Sequence, residues 1–178
     1  MALDGARIGI FIDFQFEDAE LLWPKMRLQE GANVFLISIL AAGQVKYTGK
    51  YGYPVRSTHS VADVRSVEFD ALVFPGGNSP DYLRRDKDII DMIRRHHASG
   101  KIIAAVCHGP WMLCSARILK GVKCTSWFSI RDDVENAGGL WVDQQVVVDK
   151  RIITSRNPDD LIAFTRAIID QVSRTMAE

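Results

Sequence analysis

The chain is poor in cysteine, has no excess of charge of either sign and contains no long apolar run. Three cysteines among 178 residues are an odd number without the spacing of disulfide-bonded secreted domains, which predicts a reducing compartment and a cytoplasmic location. Basic and acidic residues number 22 each, so no surface for nucleic acid or for an anionic membrane is expected. No apolar stretch approaches the roughly 20 residues that span a bilayer, and the first residues lack the pattern of a signal peptide. These absences predict a soluble intracellular protein.

The chain also lacks the motifs by which metal ions and cofactors are commonly held. No glycine-rich segment ends in Lys-Ser or Lys-Thr, as a phosphate-binding loop does. No spacing of cysteine and histidine matches a zinc site. We therefore predict neither a metal ion nor a cofactor.

What is present is an alternation of strands and helices along the whole chain. Short apolar runs predict buried strands, and segments with apolar residues at helical spacing lie between them. The predicted strands cover residues 7–12, 33–39, 69–74 and 101–106, and the predicted helices cover 17–30, 86–99, 110–119, 129–137 and a C-terminal segment that begins at Pro158. This order predicts one α/β domain over residues 1–178, a three-layer sandwich whose mostly parallel, flavodoxin-like sheet carries helices on both faces.

Two parts of the chain depart from this alternation. Residues 43–68 are rich in Gly, Tyr, Thr and Val and predict an irregular segment with short extended pieces. Strands predicted over 140–148 and 151–155 flank a tight turn, which adds an antiparallel element late in the chain.

Three features are predicted to meet at the carboxyl ends of the parallel strands, where ligands bind in such sheets. They are the segment 13–18 after the first strand, the turn Pro75-Gly76-Gly77 and Cys107. Their convergence predicts an active site at this edge of the sheet.

Cys107 stands where a buried strand ends and a helix begins, an arrangement known as a nucleophile elbow. Ala105 and Gly109, two positions away on either side, are small, as the tight turn requires. A thiol at a helix N-terminus is expected to have a lowered pKa and to favour the nucleophilic thiolate. The alternative is a buried core cysteine, which most free cysteines are. The elbow favours a reactive centre.

Groups near the elbow are predicted to assist it. Glu17, at the start of the helix after the first strand, is predicted to reach the thiol and carry a proton, the alternative being a carboxylate that only stabilises the helix N-terminus. The backbone N–H groups of Gly76, Gly77 and His108 are predicted to form an oxyanion hole, the alternative being a plain Gly-Gly turn.

The histidines and the other cysteines have weaker signals. Successive helical residues point about 100° apart, so we do not expect the His108 ring to bond the sulfur of Cys107. His108 is left with three roles: a proton carrier near the substrate, a source of positive field, or a polar residue at an interface. His96, late on a charged helix, is expected to face solvent or the helix dipole. Cys114 and Cys124 are expected to lie in the core.

Several motifs occur in one order along nearly the full length of the chain, from Arg7 to about Val172. They are Phe16-Glu17-Asp18-Ala19-Glu20-Leu21, Phe74-Pro75-Gly76-Gly77, Ala105-Val106-Cys107-His108-Gly109-Pro110, Asn136-Ala137-Gly138 with Trp141-Val142-Asp143, Val146-Val147-Val148-Asp149 and Thr154-Ser155-Arg156. On these motifs the chain resembles the PfpI branch of the DJ-1/PfpI superfamily, whose fold is similar to that of class I glutamine amidotransferases.

The resemblance implies Cys107 as the nucleophile, Glu17 as its carboxyl partner and His108 as the neighbouring histidine of the family. It also implies a homodimer or larger homo-oligomer, in which Asp81 reaches His108 of the adjacent subunit from a position where the archetype has a glutamate. Trp127 stands where the archetype has a tyrosine near the thiol, and an indole cannot act as a phenol.

Members of this branch are known as peptidases, glyoxalase III enzymes, deglycases and stress proteins. Of these activities, a cofactor-independent conversion of reactive aldehydes such as methylglyoxal needs the fewest catalytic groups: a thiolate, one proton carrier and an oxyanion site. A cysteine peptidase is the second expectation, because it needs a histidine placed to activate the thiol. A third is a redox-sensing or chaperone-like protein in which Cys107 is oxidised. Small aldehydes or glycated and peptide substrates are the expected partners.

Overall fold

The computed structural model describes residues 3–177, which form a seven-stranded sheet between two layers of helices. The strands are β1 (Arg7–Phe11), β2 (Asn33–Ser38), β3 (Lys46–Thr48), β4 (Pro54–Arg56), β5 (His59–Ser60), β6 (Ala71–Phe74), β7 (Ile102–Val106), β8 (Lys123–Cys124), β9 (Leu140–Trp141), β10 (Val146–Asp149) and β11 (Ile152–Ser155). The helices are α1 (Asp18–Gln29), α2 (Ser79–Leu83), α3 (Lys87–Ala98), α4 (Trp111–Ala116), α5 (Arg131–Asn136) and α6 (Leu161–Ala177). Single 3-10 turns cover Ala62–Val64, Phe128–Ile130 and Pro158–Asp160.

The main sheet has the strand order β10-β11-β7-β6-β1-β2-β5. Its neighbours pair in parallel, except that β10 runs antiparallel to β11. The five central strands are therefore arranged 2-1-3-4-5 in chain order, which is the flavodoxin-like order. The predicted fold class, including the late antiparallel hairpin, is confirmed.

Side chains that alternate along each strand enter two different cores. On β6, Leu72 and Phe74 pack with apolar residues of α3 and α4, whereas Ala71 and Val73 pack with those of α1 and α6. All four β6 residues are buried, because a parallel strand between two helical layers has no solvent face. The two cores explain why the central strands are continuous apolar runs in the sequence.

Some element bounds differ from the sequence prediction. The helix after the elbow ends at Ala116, because Arg117 adopts a left-handed conformation with φ of 59°. The strand predicted over 140–148 is divided into β9 and β10. The short helix α2 was not expected, whereas residues 43–68 contain the short extended pieces that were predicted.

The order of the strands fixes where a site can form. Strand order reverses between β1 and β6. The connections that follow these two strands therefore leave toward opposite faces of the sheet, which opens a crevice at their carboxyl ends. The end of β7 lies beside that of β6, so the segments after β1, β6 and β7 meet at one edge. Within residues 3–177 no helix is both long and apolar enough to cross a membrane.

Candidate active site

Cys107 sits in a strained elbow directly after β7. Its φ is 61°, a left-handed value that a residue with a side chain rarely adopts. Backbone hydrogen bonds hold this turn from two sides: the Cys107 N–H donates to the Ser155 carbonyl at 3.1 Å, and the Trp127 N–H donates to the Cys107 carbonyl at 2.9 Å. A Cβ at Gly109 would come within 2.2 Å of the Phe74 carbonyl oxygen, so only glycine fits there. The elbow predicted from the sequence is present.

Glu20, and not Glu17, is the carboxyl group that the fold places against the thiol. Glu20 is fully buried, and its Oε2 accepts a hydrogen bond of 2.7 Å from the Gly76 N–H. The Cys107 thiol and the Glu20 carboxyl lie close enough that each shifts the pKa of the other. A Cβ at Gly76 would lie 2.6 Å from Glu20 Oε2 and 2.8 Å from Cys107 Cβ, which shows how closely the three residues meet.

Glu17 stabilises the N-terminus of α1, which was the alternative to a role at the thiol. It is the N-cap of α1, and its Oε2 accepts a hydrogen bond of 2.9 Å from the Glu20 N–H. The assignment of Glu17 as the carboxyl partner of the thiol is therefore corrected to Glu20. The reason is helical geometry, because a residue three positions further along α1 projects from the same face one turn deeper.

Burial controls the acidity of both groups. Loss of solvent raises the pKa of Glu20 to about 8, and the nearby Glu17 charge adds to this rise, whereas the Gly76 N–H and the Lys50 charge oppose it. Burial also raises the pKa of the Cys107 thiol, and the Glu20 carboxylate raises it further. The lowered thiol pKa expected from the helix N-terminus is thus wrong, because desolvation and a neighbouring carboxylate outweigh the dipole.

The thiol and the carboxyl group are best treated as one pair. At pH 7 a carboxyl group with a pKa of about 8 is mostly protonated, so the pair is largely neutral. Above pH 8 the pair holds one negative charge and one proton, which the two groups share. A proton can then move from sulfur to carboxylate as the sulfur attacks a substrate, so Glu20 replaces an external base.

His108 touches the thiol, contrary to the expectation from helical spacing. Its Nδ1 lies 3.3 Å from the Cys107 sulfur, and its Nε2 lies 3.4 Å from the Ser129 hydroxyl. The 100° rule does not apply, because the left-handed backbone of Cys107 turns its side chain toward that of the next residue. The Trp111 ring lies edge-on to the imidazole at 5.1 Å, and burial lowers the pKa of His108.

Two of the three backbone N–H groups predicted to bind an oxyanion face the sulfur. Hydrogen bonds from the N–H groups of His108 and Gly77 to Cys107 favour its thiolate form. Gly77 has a φ of 73°, and a Cβ there would come within 2.3 Å of the Gln15 carbonyl oxygen, so the turn requires glycine. The Gly76 N–H is occupied by Glu20, which removes it from the predicted set.

These groups open onto a cavity of about 420 Å³. Its lining combines the thiol, acidic, basic, amide and aromatic groups, namely Gln15, Glu17, Glu20, Lys50, Tyr51, Gly77, Asn78, Cys107, His108, Trp127 and Pro158. Trp127 is there as predicted, whereas Asp81 is exposed on α2 and lies outside the described lining. An approach of Asp81 to a neighbouring subunit stays a prediction.

The sequence interpretation missed the residues that the irregular segment 43–68 contributes. Lys50 and Tyr51 lie between β3 and β4, far along the chain from the other lining residues. The cluster Thr48-Gly49-Lys50-Tyr51-Gly52 is the one local signal for a built loop at this place.

The other cysteines lie apart from the elbow. Cys124 is fully buried in the core, and Cys114 packs against that core while half-buried. Burial raises the pKa of Cys114 to about 11 and that of Cys124 to about 12. The predicted core position is confirmed for Cys124, whereas Cys114 lies half-buried at the edge of that core.

Comparisons with known proteins place the chain in a family. The model of the DJ-1/PfpI family matches residues 6–171. A Pyrococcus furiosus protein named deglycase PfpI is 43% identical over 155 residues, which are 87% of this chain and 92% of that protein. An Escherichia coli protein named protein/nucleic acid deglycase 2 is 44% identical over 163 residues, 90% of this chain and 94% of that protein. The crystal structure of Drosophila melanogaster DJ-1beta is similar with a TM-score of 0.88 and 25% identity, covering 95% of this chain and 91% of that one.

Proposed function

Because the chain belongs to the DJ-1/PfpI family, we propose that it is a cysteine-dependent stress-defence enzyme that acts on reactive carbonyl compounds without a cofactor. The reaction we assign to it is the conversion of methylglyoxal and water to lactate, or the equivalent removal of such adducts from larger molecules. Relatives above 40% identity that are named deglycases support the broad class of activity.

One observation carries the proposal: a thiol and a buried carboxyl group lie together at the wall of a cavity. Among the described residues, Glu20 Oε1 is buried and has no hydrogen-bond partner, although Oε2 is bonded to Gly76. Burying a polar atom without a partner is unfavourable by roughly 1–3 kcal/mol, so a bound molecule that hydrogen-bonds Glu20 Oε1 would remove this cost. An acceptor beside a nucleophile is what a proton transfer to and from a bound carbonyl compound needs.

The proposed reaction starts with attack of the Cys107 sulfur on the aldehyde carbon. The thiol proton passes to Glu20, a sulfur–carbon bond forms, and the carbonyl π electrons move to oxygen, which the N–H groups of Gly77 and His108 stabilise. Glu20 gives the proton to that oxygen, which yields a hemithioacetal and restores the carboxylate.

Glu20 then moves a proton between the two carbons of the adduct. It removes the hydrogen of the former aldehyde carbon as a proton, which gives an enediolate, and returns a proton to the adjacent carbon. The proton of the hydroxyl on the former aldehyde carbon moves to the neighbouring oxygen, which leaves a thioester of lactate on Cys107. Water attacks the thioester, the carbon–sulfur bond breaks, and lactate and the free thiol are released. The sum is methylglyoxal plus water giving lactate, with no external oxidant or reductant.

The test is lactate formation from methylglyoxal without added glutathione, in wild type and three variants. Cys107→Ser and Glu20→Gln should each lower kcat/KM by at least about a hundredfold, as loss of the nucleophile or of the general base does. Glu17→Gln is the matched control, because Glu17 lies one turn from Glu20 and a glutamine there keeps an oxygen that can accept the N-cap hydrogen bond. It should change kcat/KM by less than about fivefold. Equal losses in the two glutamate variants would remove the assigned role of Glu20, and lactate formation by Cys107→Ser would remove the mechanism.

A cysteine peptidase is the second candidate, and one contact favours it. The 3.3 Å approach of His108 Nδ1 to the Cys107 sulfur meets the geometric requirement that the sequence had not predicted. Peptide hydrolysis needs this histidine to protonate a leaving amine, whereas the aldehyde route does not. Cleavage of a fluorogenic peptide that is lost in His108→Gln, together with lactate formation that persists, would assign both activities to one thiol.

The redox-sensing alternative rested on an exposed thiol of low pKa. Cys107 is 7% exposed, and burial raises its pKa, so the premise of that alternative is not met. The homo-oligomer and the in-trans contact of Asp81 remain proposals, which sedimentation and an Asp81→Asn variant test.

A further inference from the structure

Lys50 supplies a positive charge at the wall of the reactive cavity. It lines the same cavity as Cys107, Glu20 and His108 and is its one lysine or arginine among the described lining residues. Its ammonium group lies 5.3 Å from the centre of the Tyr51 ring, and it forms no ion pair with any described residue. The charge is therefore available to a bound molecule.

The loop that carries Lys50 is fixed to the segment around the start of α1. The buried Asp18 carboxylate accepts hydrogen bonds from the N–H groups of Tyr51 at 2.9 Å and Tyr53 at 2.8 Å. The Lys50 N–H donates to the Phe16 carbonyl at 2.8 Å. A Cβ at Gly49 would lie 2.4 Å from Asp18 Oδ2, so the loop packs directly on that carboxylate. The backbone from which the Lys50 side chain extends toward the cavity is thus fixed.

The Lys50 charge reaches the reacting groups. It lowers the pKa of Glu20 by favouring the carboxylate, and it lowers the pKa of His108 by disfavouring the imidazolium. Among the described lining residues, the acidic side chain besides Glu20 is Glu17, whose carboxyl oxygen accepts the Glu20 N–H in the first turn of α1. A ligand that approaches the thiol therefore meets the Lys50 ammonium group, which has no ion-pair partner among the described residues. The Glu17 carboxyl group it also meets is already stabilised by the Glu20 N–H and the dipole of α1.

We propose that Lys50 makes this cavity a binding site for aldehydes that carry a carboxylate next to the reacting carbonyl. The inference rests on the proposed function, since it uses the same thiol and the same cavity. It adds a ligand class: anionic carbonyl compounds are bound more tightly than neutral ones of equal size. Lys50 is the specificity-determining residue.

Glyoxylate is the probe, because it has an aldehyde and a carboxylate on adjacent carbons. The Cys107 sulfur adds to the aldehyde carbon, the carbonyl π bond opens, and the thiol proton ends on the new hydroxyl, so atoms and electrons balance without a redox step. The adduct has no second ketone or aldehyde carbon to accept a proton, so it stops there and reverses. Glyoxylate should therefore protect Cys107 from alkylation and inhibit methylglyoxal turnover competitively.

The experiment measures the concentration that half-protects Cys107 from alkylation, read by mass spectrometry, for glyoxylate and for its neutral methyl ester. In Lys50→Met the glyoxylate value should rise about fivefold, the upper range for one partly exposed charge pair, and the rise should shrink at high salt. The value for the methyl ester should change by less than about twofold. Lys50→Arg keeps the charge and should retain most of the wild-type affinity for glyoxylate.

Lys46→Met is the matched control, because Lys46 lies on β3 of the same hairpin and outside the described lining of the cavity. It should leave both values unchanged. Equal shifts for glyoxylate and its ester in Lys50→Met, or no shift for either, would overturn the inference. A shift in Lys46→Met as large as that in Lys50→Met would overturn it too, since it would show a general effect of net charge.

Failure of the inference and failure of the proposed function give different results. If wild type forms no lactate but glyoxylate protection depends on Lys50, the anion site stands and the assigned turnover falls. If lactate forms and protection ignores Lys50, the turnover stands and the anion site falls. Protection is measured on the resting thiol, so it does not require catalysis.

Discussion

The two ends of the central sheet each bury a titratable group, and they differ in what surrounds it. At the amino end of β7, His96 is 9% exposed and its Nε2 lies 2.9 Å from the Ile102 carbonyl oxygen. At the carboxyl end, Glu20 has one oxygen bonded to Gly76 and one without a partner among the described residues. Both groups line cavities. Burial raises the pKa of Glu20 and lowers that of His96, so it favours the neutral form of each.

The difference teaches that burial of an ionisable group does not by itself make a reactive site. His96 is satisfied by a backbone carbonyl, and its neighbours in the cavity include no thiol or other strong nucleophile. Glu20 combines an unpartnered atom with a nucleophile held at a strained backbone. An unsatisfied acceptor next to a reactive atom, and not a shifted pKa, distinguishes the candidate active site. His96 was expected to face solvent or the helix dipole, and its burial corrects the first expectation.

The largest effect on stability should come from Glu20→Gln. Between pH 4.5 and 8 the unfolded chain releases the Glu20 proton while the folded chain keeps it, so the raised pKa lowers stability as pH rises through this range. A neutral amide removes this penalty of roughly 3–5 kcal/mol, so at pH 8 the variant should melt several degrees above wild type while losing activity. Denaturant unfolding at pH 5 and pH 8 checks it, and a variant no more stable than wild type at pH 8 would contradict the burial argument.

His96 should show the opposite dependence on pH. Its pKa is lowered from 6.5 to about 4, so between these values the unfolded chain takes up a proton that the folded chain does not. The contribution of His96 therefore lowers stability by roughly 3 kcal/mol as pH falls from 6.5 to 4. His96→Gln should flatten the decline over this window and leave kcat/KM unchanged at pH 8. The same slope in wild type and variant would show that His96 is not the group responsible.

The rate should report the pair at the carboxyl end of the sheet. If the reactive form is the pair with one charge and one proton, kcat/KM should rise about tenfold between pH 7 and pH 9 and level off above the pKa near 8. Residual activity of Glu20→Gln should lack this rise near pH 8. A wild-type rate independent of pH over this range would show that a different ionisation governs attack.

The smallest expected effect is on the free energy of unfolding, and it distinguishes the capping role of Glu17 from the role of Glu20 at the thiol. Glu17→Ala removes the cap bond to the Glu20 N–H and should lower the free energy of unfolding by about 1 kcal/mol. Asp86→Ala, which removes the equivalent cap of α3 to the Ile89 N–H, should lower it by a similar amount. Activity should fall modestly in Glu17→Ala and not in Asp86→Ala. The reason is that the hydrogen bond lost in Glu17→Ala holds the backbone of Glu20. Loss of activity in both variants would indicate a global effect.

The family and the fold could be predicted from the sequence because they rest on repeated local signals. Apolar runs that are buried on both faces predicted β1, β2, β6 and β7, and alternation with helices predicted a parallel sheet, as found. The family resemblance rested on motifs in a fixed order and is confirmed. The tight elbow at Cys107 was predicted from its small neighbours, because steric demands of a tight turn act within a few residues, and the structure shows it with a left-handed φ.

The errors concern atoms that only long-range packing brings together. Glu17 and Glu20 are both acidic, both near the end of β1 and both in one motif, so local sequence does not distinguish the cap from the partner of the thiol. The choice is made by the Gly76 N–H, 56 positions further along the chain, which holds Glu20 Oε2. Lys50 and Tyr51 reach the cavity because Asp18 fixes their loop, a contact between residues more than 30 positions apart.

The sequence by itself therefore determined the layers of the fold and the elbow at Cys107, since periodicity, turn sterics and residue chemistry are local properties. Tertiary structure decided which carboxyl group meets the thiol, how acidic each is, that His108 touches the sulfur, and that a lysine faces the cavity. Those outcomes depend on burial and on distances between separate strands and loops, which set desolvation and Coulomb energies that no local pattern contains.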